Sequence, residues 1–368
     1  MNTKAFSVGE KVRVRIEKIA HGGHFIARHE GAVLFIRHAI PGEEVTVEIT
    51  DVTKNFLRAD VIEIHDPSPD RRVPPCKYAG KCGGCDFQHI SYPRQLALKS
   101  EVISEQFLRL AKIDIKVEVE KCGEPLGWRV RATATAGKNG KIGFYGARSH
   151  EIVPIDECPV MHPSVTFQEI ASNTFNDGEK VNITPKAELL AGFELSENSF
   201  WQGHINAPKI LTDAVMEITS TRAGDHVFDL YGGVGLFAKR FLEVIGAGGR
   251  IDLIEGSKDA VRDARANFAN EEHVHIHQGN VEKLIGKFKR ADIVLLDPSR
   301  DGAGKVTVEG IAQLKPREII YISCDPAALA RDTNYLRDSG YILEKIRAFD
   351  LFPMTHHIES IALYRPKR

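Results

Sequence analysis

Apolar and polar residues alternate in short runs through the first 65 residues: Val12–Ile16, Ala32–Ile36, Val45–Ile49 and Ala59–Ile64. A period of two places every second side chain on one face of a strand. Turn signals at His21-Gly-Gly and Pro41-Gly fall between the runs. Several short strands in so small a unit predict a closed or nearly closed β-barrel of the OB type. Such barrels often bind nucleic acid, but the fold hosts many functions, and a structural cap is the alternative.

The proline-rich stretch His65–Pro75 marks a boundary. After a cysteine-bearing loop the period lengthens. Leu96, Leu98, Val102, Ile103, Phe107, Leu108 and Leu110 form one apolar face, with no Gly or Pro after Pro93, which predicts a helix over 92–112. Residues 115–196 read as β-rich, with runs at Ile115–Val119 and Arg129–Thr135. From about residue 200 apolar strands alternate with helices: strands over 226–230, 250–254, 291–296 and 318–323, helices over 236–245 and 259–270, and a last strand over 360–364. This order predicts a parallel, doubly wound, Rossmann-like sheet with its chemistry at the carboxyl ends of the strands. The chain therefore reads as a multidomain α/β protein. Its expected units are an OB-like barrel over 1–65, a small β-rich central domain over 66–92 and 115–196, and a Rossmann-like domain formed by 93–114 and 197–368.

A composition of 42% hydrophobic and 27% charged residues excludes wholesale disorder, and 368 residues suit two or three domains. No apolar run is long enough for a membrane span, and the start MNTKAFSVGEKVRVR lacks the apolar stretch of a signal peptide. The expectation is a cytoplasmic protein with no membrane partner. The net charge of -1 gives no global attraction to a polyanion, but residues 71–150 carry 15 Lys and Arg against 7 Asp and Glu. A basic block on a neutral chain can grip phosphates locally; chance fluctuation is the alternative.

Asp229-Leu-Tyr-Gly-Gly-Val-Gly235 turns a predicted strand into a helix. Glycines let the backbone approach a ligand, and a helix N-terminus receives carboxylate or phosphate. Glu255, at the end of the next strand, suits the two hydroxyls of a ribose, and Asp297 ends a third strand. Together they favour an adenosyl cofactor over a merely structural turn. The lack of G-x-G-x-x-G favours S-adenosylmethionine over NAD. Asn280 is a candidate for the adenine edge, with a surface-turn role as an equal alternative.

Cys76-x5-Cys82-x2-Cys85, with Cys158 in Glu-Cys-Pro, offers four thiolates. Without a secretory signal these are expected as metal ligands or free thiols, not disulfides. They suit a 4Fe–4S cluster or a tetrahedral zinc, and the distant fourth ligand before Pro leans toward iron–sulfur. Either metal would serve mainly to fold a domain with few apolar residues. Cys324, in Ser323-Cys-Asp-Pro326, follows a strand at the expected active edge and is a candidate nucleophile; a structural thiol is the alternative. Glu359, in Thr355-His-His-Ile-Glu359, is a candidate general base if folding returns it to Cys324. His356 and His357 are titratable or simply polar surface, and Cys122 reads as a structural thiol.

Taken together, these motifs resemble the RNA 5-methyluridine (uracil-C5) methyltransferase family, in its iron–sulfur branch, over essentially the whole chain. The barrel resembles a TRAM domain, an RNA-binding module. The cysteine set, with Cys-Gly-Gly-Cys-x-x-Gln-His ending at His89, resembles that branch's 4Fe–4S ligands. Ser323–Pro326 resembles the nucleophile motif, Thr355–Glu359 the general-base motif, and Asp297-Pro-Ser-Arg300 the family's Asp-Pro-Pro-Arg. Phe200-Trp-Gln202 resembles the segment whose Gln touches the cofactor. The resemblance implies a class I enzyme that uses S-adenosylmethionine, bound at Gln202, Tyr231, Glu255 and Asp297, to form 5-methyluridine in RNA. It implies Cys324 as nucleophile through a uracil C6 adduct, Glu359 as base, and a 4Fe–4S cluster on Cys76, Cys82, Cys85 and Cys158. Ribosomal RNA is the favoured substrate and transfer RNA the next; a monomer without obligate protein partner is expected. Gly232 stands where the family often has Cys, Ser299 where it has the second Pro, and His204 where many members have Asn. Two alternatives remain from sequence: a class I methyltransferase acting on a non-RNA substrate, and a non-catalytic iron–sulfur RNA-binding protein.

Overall fold

A computed structural model describes residues 3, 6–190 and 192–367; residues 1, 2, 4 and 5 of the expected barrel, with 191 and 368, lie outside the described residues. The barrel consists of β1 (Lys11–Arg15), β2 (Lys18–Ala20), β3 (His24–His29), β4 (Ala32–Arg37), β5 (Glu44–Val52) and β6 (Leu57–Asp66). Their order is β1-β5-β6-β4-β3-β2. Only Ile16 and Glu17 separate β1 from β2, so the two are halves of one bent strand. Its first half pairs with β5 and its second with β3, which closes the sheet on itself and removes its open edges. The alternating apolar positions, among them Val14, Phe25, Leu34, Val47 and Leu57, all point inward and are buried.

The helix Tyr92–Gln106 starts with Pro93 in its first turn, where the missing N–H costs nothing. It runs on into a wider π turn, Phe107–Ala111, that ends at Lys112 in a left-handed conformation. Phe25 of the barrel meets Phe87 with ring centroids 6.1 Å apart. From there one continuous apolar cluster runs through Leu98, Ile103 and Phe107 to the third unit. The barrel is thus joined to the rest of the molecule by buried side chains and not by a tether alone.

A short strand, β7 (Val119–Lys121), precedes the central sheet of β8 (Ala132–Ala136), β9 (Ile142–Tyr145), β10 (Ile152–Pro154) and β11 (Lys180–Ile183). This sheet is antiparallel in the order β10-β9-β8-β11. Its core of Val130, Ile142, Ile155, Phe167 and Ile183 also receives Tyr78, Cys82 and Cys158.

The large sheet comprises β12 (His226–Leu230), β13 (Arg250–Glu255), β14 (Val274–Gln278), β15 (Ile293–Leu296), β16 (Glu318–Ser323), β17 (Tyr341–Asp350) and β18 (Glu359–Pro366), with β7 at its edge. The order is β14-β13-β12-β15-β16-β18-β17-β7. Strands β12 to β16 are parallel, as the alternating pattern predicts. The parallel, doubly wound sheet expected from sequence carries one reversal: β18 lies antiparallel between β16 and β17. The link from β17 to β18 is only residues 351–358, too short for the crossover that a parallel neighbour requires. Strand β7, read from sequence as part of the central unit, pairs with the end of β17 instead. Successive residues of the parallel strands face opposite apolar clusters. Val227, Leu253 and Ile320 pack with helices Ala207–Ile218 and Leu236–Ile245, while Phe228, Ile254 and Tyr321 pack with Gly304–Gln313 and Pro326–Asp338. Among the described residues no helix is long and apolar enough to cross a membrane.

Candidate active site

The turn after β12 is held by its backbone: the N–H groups of Tyr231 and Gly232 donate to the Ile254 carbonyl at 2.9 and 3.3 Å. Tyr231 adopts φ +59°, a left-handed conformation that costs a side-chain-bearing residue energy and is tolerated here because the turn is over-determined. Gly235 has φ +95°, and a Cβ there would sit 2.1 Å from the Phe268 ring. A Cβ at Gly232 would lie 2.7 Å from Leu253 Cγ and 3.0 Å from Asp229 Cγ, so the glycine matches the close packing beneath it. Asp229 is fully buried; one oxygen accepts from the Ala238 N–H at 3.0 Å, the other is unpartnered, and burial pushes the carboxyl up to about 8. Glu255 ends β13 and accepts from the Gly233 N–H at 3.0 Å and the Ser257 N–H at 2.7 Å.

These residues border a narrow cavity of about 40 Å³ lined by Gln202, Tyr231, Gly232, Gly233 and Asp297, with the aromatic walls Phe200, Trp201 and Phe237. Its lining, apolar walls with a few convergent polar groups, is of the kind that orients a small ligand. Gln202, Tyr231 and Asp297 are thus brought together, with Glu255 one hydrogen bond behind Gly233. Asn280 is not among the residues lining this cavity. It is exposed, and its side-chain oxygen caps the short helix Val281–Leu284 by accepting from the Lys283 N–H at 3.3 Å. His204 also stands apart: its ring stacks on Trp128 at 5.5 Å, and Nδ1 accepts from the Asn206 N–H at 3.0 Å. Burial lowers its pKa to about 4, so it is a neutral packing group. Cys122 is buried, with its thiol donating to the Glu120 carbonyl at 3.5 Å.

Antiparallel pairing of β16 with β18 ends at Ser323 opposite Ser360. Cys324 is the next residue past β16 and Glu359 the first of β18, so the register sets them facing each other. Two residues 35 positions apart in sequence share one sheet edge because β18 starts where the parallel strands end. Asp297, just past the adjacent β15, acts on both and also lines the cavity. Burial, then Glu359 and Asp297, push the Cys324 thiol up to about 12, opposed by Arg300. Burial, then Asp297, hold the Glu359 carboxyl well above the carboxylate range, again opposed by Arg300. Burial raises Asp297 to about 7. Cys324 and Glu359 therefore favour their protonated forms at neutral pH while Asp297 titrates near it, and a cation bound nearby favours all three anions.

Arg300 received no role from sequence, although its place in Asp-Pro-Ser-Arg marked it. The bracing of the loop before Glu359 had no local signal at all. Gln95, fully buried on the helix Tyr92–Gln106, accepts from the Met354 N–H at 3.0 Å and donates to the carbonyls of Phe87 and Ile90 at 3.1 and 2.9 Å. The Met354 carbonyl accepts from Asp86 and Phe87 N–H, and His356 pairs with Asp86. Lys99 Nζ contacts Asp350 at 2.5 Å and the Phe352 carbonyl at 3.1 Å. His21 of the barrel reaches Asp325, beside Cys324, at 2.9 Å. Half-buried His357 has its pKa lowered to about 3 by desolvation and lies 3.4 Å from Arg300.

Cys76, Cys82, Cys85 and Cys158 line one further small cavity, of about 20 Å³, beside Gln88 and Arg129. The Gly84 N–H donates to Cys82 Sγ at 3.3 Å. A Cβ at Gly83 would meet the Tyr145 carbonyl at 2.9 Å, so the loop lies tight against the central sheet. Among the described residues no group of three or more His, Cys, Asp or Glu is arranged around a single metal ion. The four cysteines share a space without converging on one point.

A family model described as TRAM domain matches residues 5–62, and one described as tRNA (Uracil-5-)-methyltransferase matches residues 179–367. An uncharacterized RNA methyltransferase of Streptomyces avermitilis is 39% identical over 98% of this chain and 99% of its own. Another, from Caldanaerobacter subterraneus, is 30% identical over 97% of this chain and 98% of its own. A Pyrococcus abyssi tRNA (uracil-54, C5)-methyltransferase, solved with S-adenosyl-L-homocysteine, has a TM-score of 0.71 at 22% identity, covering 95% of this chain and 99% of that one, which shows a shared fold.

Proposed function

Because the chain belongs to the tRNA (uracil-5-)-methyltransferase family, and is thus an RNA uracil-C5 methyltransferase with the S-adenosylmethionine-dependent fold, we propose that it forms 5-methyluridine in ribosomal RNA through a covalent Cys324–uracil C6 adduct. The observation that supports this chemistry is the facing of Cys324 and Glu359 across β16 and β18, with Asp297 shared between that pair and the neighbouring cavity. Ribosomal RNA is favoured by the four-cysteine set and its resemblance to the iron–sulfur branch. Transfer RNA is the second reading, favoured by the name of the matching family.

Uracil C5 is a weak nucleophile. Addition of the Cys324 thiolate to C6 forms an S–C bond and moves an electron pair toward C5. S-adenosylmethionine, when bound, supplies an electrophilic methyl group. Gln202, Tyr231 and Asp297 would hold it against the Gly232–Gly233 turn, with Glu255 behind that turn placed for the ribose. Once C5 is methylated, Glu359 takes the C5 proton, the S–C6 bond breaks and the thiolate is regenerated. The high proton affinity of Glu359 suits an acceptor, and Arg300 favours its ionised form before that step. A uridine in folded RNA must leave its stack to reach Cys324.

We assign Cys76, Cys82, Cys85 and Cys158 as ligands of a 4Fe–4S cluster. Cys76, Cys82 and Cys85, on one loop packed against the central sheet, and Cys158, from the segment after β10, surround one cavity without converging on a point, which fits a polynuclear centre better than a single ion. Such a centre supplies folding energy to the small domain. Tritium release from RNA labelled at uracil C5, with added S-adenosylmethionine, tests the proposed function. Release from ribosomal and not transfer RNA is expected, with none from Cys324→Ala. Release only from transfer RNA reverses the choice of substrate, and none from either RNA refutes attack at C5.

A further inference from the structure

On the barrel's outer face Arg37 and Arg58 each stand near one carboxylate, Asp60 and Asp51, and a third cation, from the central domain, joins them with no carboxylate of its own. Strand alternation turns Phe25, Ile36 and Ala59 inward and His24, Phe35, Arg37, Arg58 and Asp60 outward. The pairing register sets Phe35 beside Arg58 and Arg37 beside Asp60 on neighbouring strands. Arg37 is held by both oxygens of Asp60. Arg58 lies over the Phe56 ring at 5.3 Å, its nearest carboxylate is the half-exposed Asp51 at 3.9 Å, and its buried Nε has no partner. Into this face the central domain projects Arg148, from the turn after β9. It carries a left-handed backbone, φ +53°, unusual for a side-chain-bearing residue. Its guanidinium donates to Nε2 of His24. Burial and the neighbouring arginines lower the pKa of His24 to about 4, so the imidazole is a neutral acceptor. It orients Arg148 without cancelling its charge. Among the described residues Arg148 makes no salt bridge within 4.0 Å, whereas Arg58 and Arg37 are close enough to repel it. Asp60 and Asp51 offset that repulsion only in part.

We propose that Arg148 and Arg58, at the seam of barrel and central domain and backed by Arg37, form a seat for backbone phosphates of a single-stranded segment of the substrate RNA. The proposal rests on the RNA reading above and names where that RNA is held. Two facts favour a phosphate ester chain over a free ion. The cations come from two domains along an open face, and that face continues toward the catalytic loop. Asp86 and His356, which brace the loop before Glu359, are the next charged groups along it and act on both His24 and, in the case of Asp86, Arg37. Phosphates seated here lead one strand from the barrel toward Cys324 while leaving its bases free to unstack.

The test measures binding of a fluorescein-labelled, uridine-rich oligoribonucleotide to the full chain across a salt series. Each phosphate contact on a single strand contributes about 0.7 to the slope of log affinity against log salt. Arg148→Ala and Arg58→Ala should therefore each lower that slope by about 0.7, and affinity at 0.1 M salt by roughly fivefold, taking convergence at 1 M. Arg148→Lys should keep the slope. S-adenosylhomocysteine affinity, read by calorimetry, should be unchanged in all three and shows that the fold is intact. Unchanged RNA affinity and slope in both alanine variants, with normal cofactor binding, overturn the seat while the methyltransferase reading stands. Failure of the unmodified protein to bind or methylate RNA overturns both.

Discussion

Replacing Lys99 by Met tests how the loop before Glu359 is anchored. Lys99 and Asp350 are 1% and 0% exposed, and their charged atoms are 2.5 Å apart. The methionine fills much the same volume, so the loss is electrostatic. One Asp350 oxygen already lacks a partner, and the substitution strands the carboxylate without its cation. Removing one member of a buried pair costs about 3–5 kcal/mol. The Phe352 carbonyl loses the Lys99 donor but keeps the N–H and hydroxyl of Thr355, so that contact adds little. Urea unfolding should therefore give a loss of about 3–5 kcal/mol at neutral pH. The double variant Lys99→Met/Asp350→Asn carries no stranded charge and should recover about half of that loss. A stranded buried carboxyl takes up a proton instead of staying charged, so the penalty in the single variant should shrink as pH falls. If the single and double variants lose the same stability, or the single loss does not vary with pH, the pair is not the anchor described.

Glu359→Gln should let Cys324 add to uracil and accept no C5 proton, so a protein–RNA adduct should persist on denaturing gels; RNA released free of protein after incubation with cofactor would count against the base role. Asp297 is raised to about 7 by burial, and Glu359 is raised beyond the carboxylate range. Binding of a sulfonium should expel protons from them, so affinity for S-adenosylmethionine should rise with pH through about 7 while that for neutral-sulfur S-adenosylhomocysteine stays flatter. Calorimetry in buffers of differing ionisation enthalpy reads this directly, and equal proton release by both ligands would refute it. Cys85→Ala should lose iron and its visible absorption. Because Asp86 and Phe87 hold the Met354 carbonyl, it should also expose residues 351–358 to protease; unchanged iron content would remove Cys85 from the ligand set.

Local information in the chain was enough for much of this protein. Strands β12 and β16 and the helix Leu236–Ile245 fall on the residues that the apolar periodicity marks, because a period of 2 or 3.6 is written into consecutive positions. The Gly-rich turn, Cys324 and Glu359 were likewise visible as short motifs. Asn280 was equally visible and is a helix cap, since a turn-forming Asn and a ligand-binding Asn have the same local signature. What tertiary structure alone decided is every relation across long separations. The reversal of β18 follows from the short 351–358 link, and it is this reversal that brings Glu359 to Cys324. The closure of the barrel through one bent strand, the Lys99–Asp350 pair, Gln95 at the Met354 backbone and His21 at Asp325 join residues up to 304 positions apart. None has a signature in the neighbouring sequence, because the burial and charge that make each contact favourable exist only once the domains have packed.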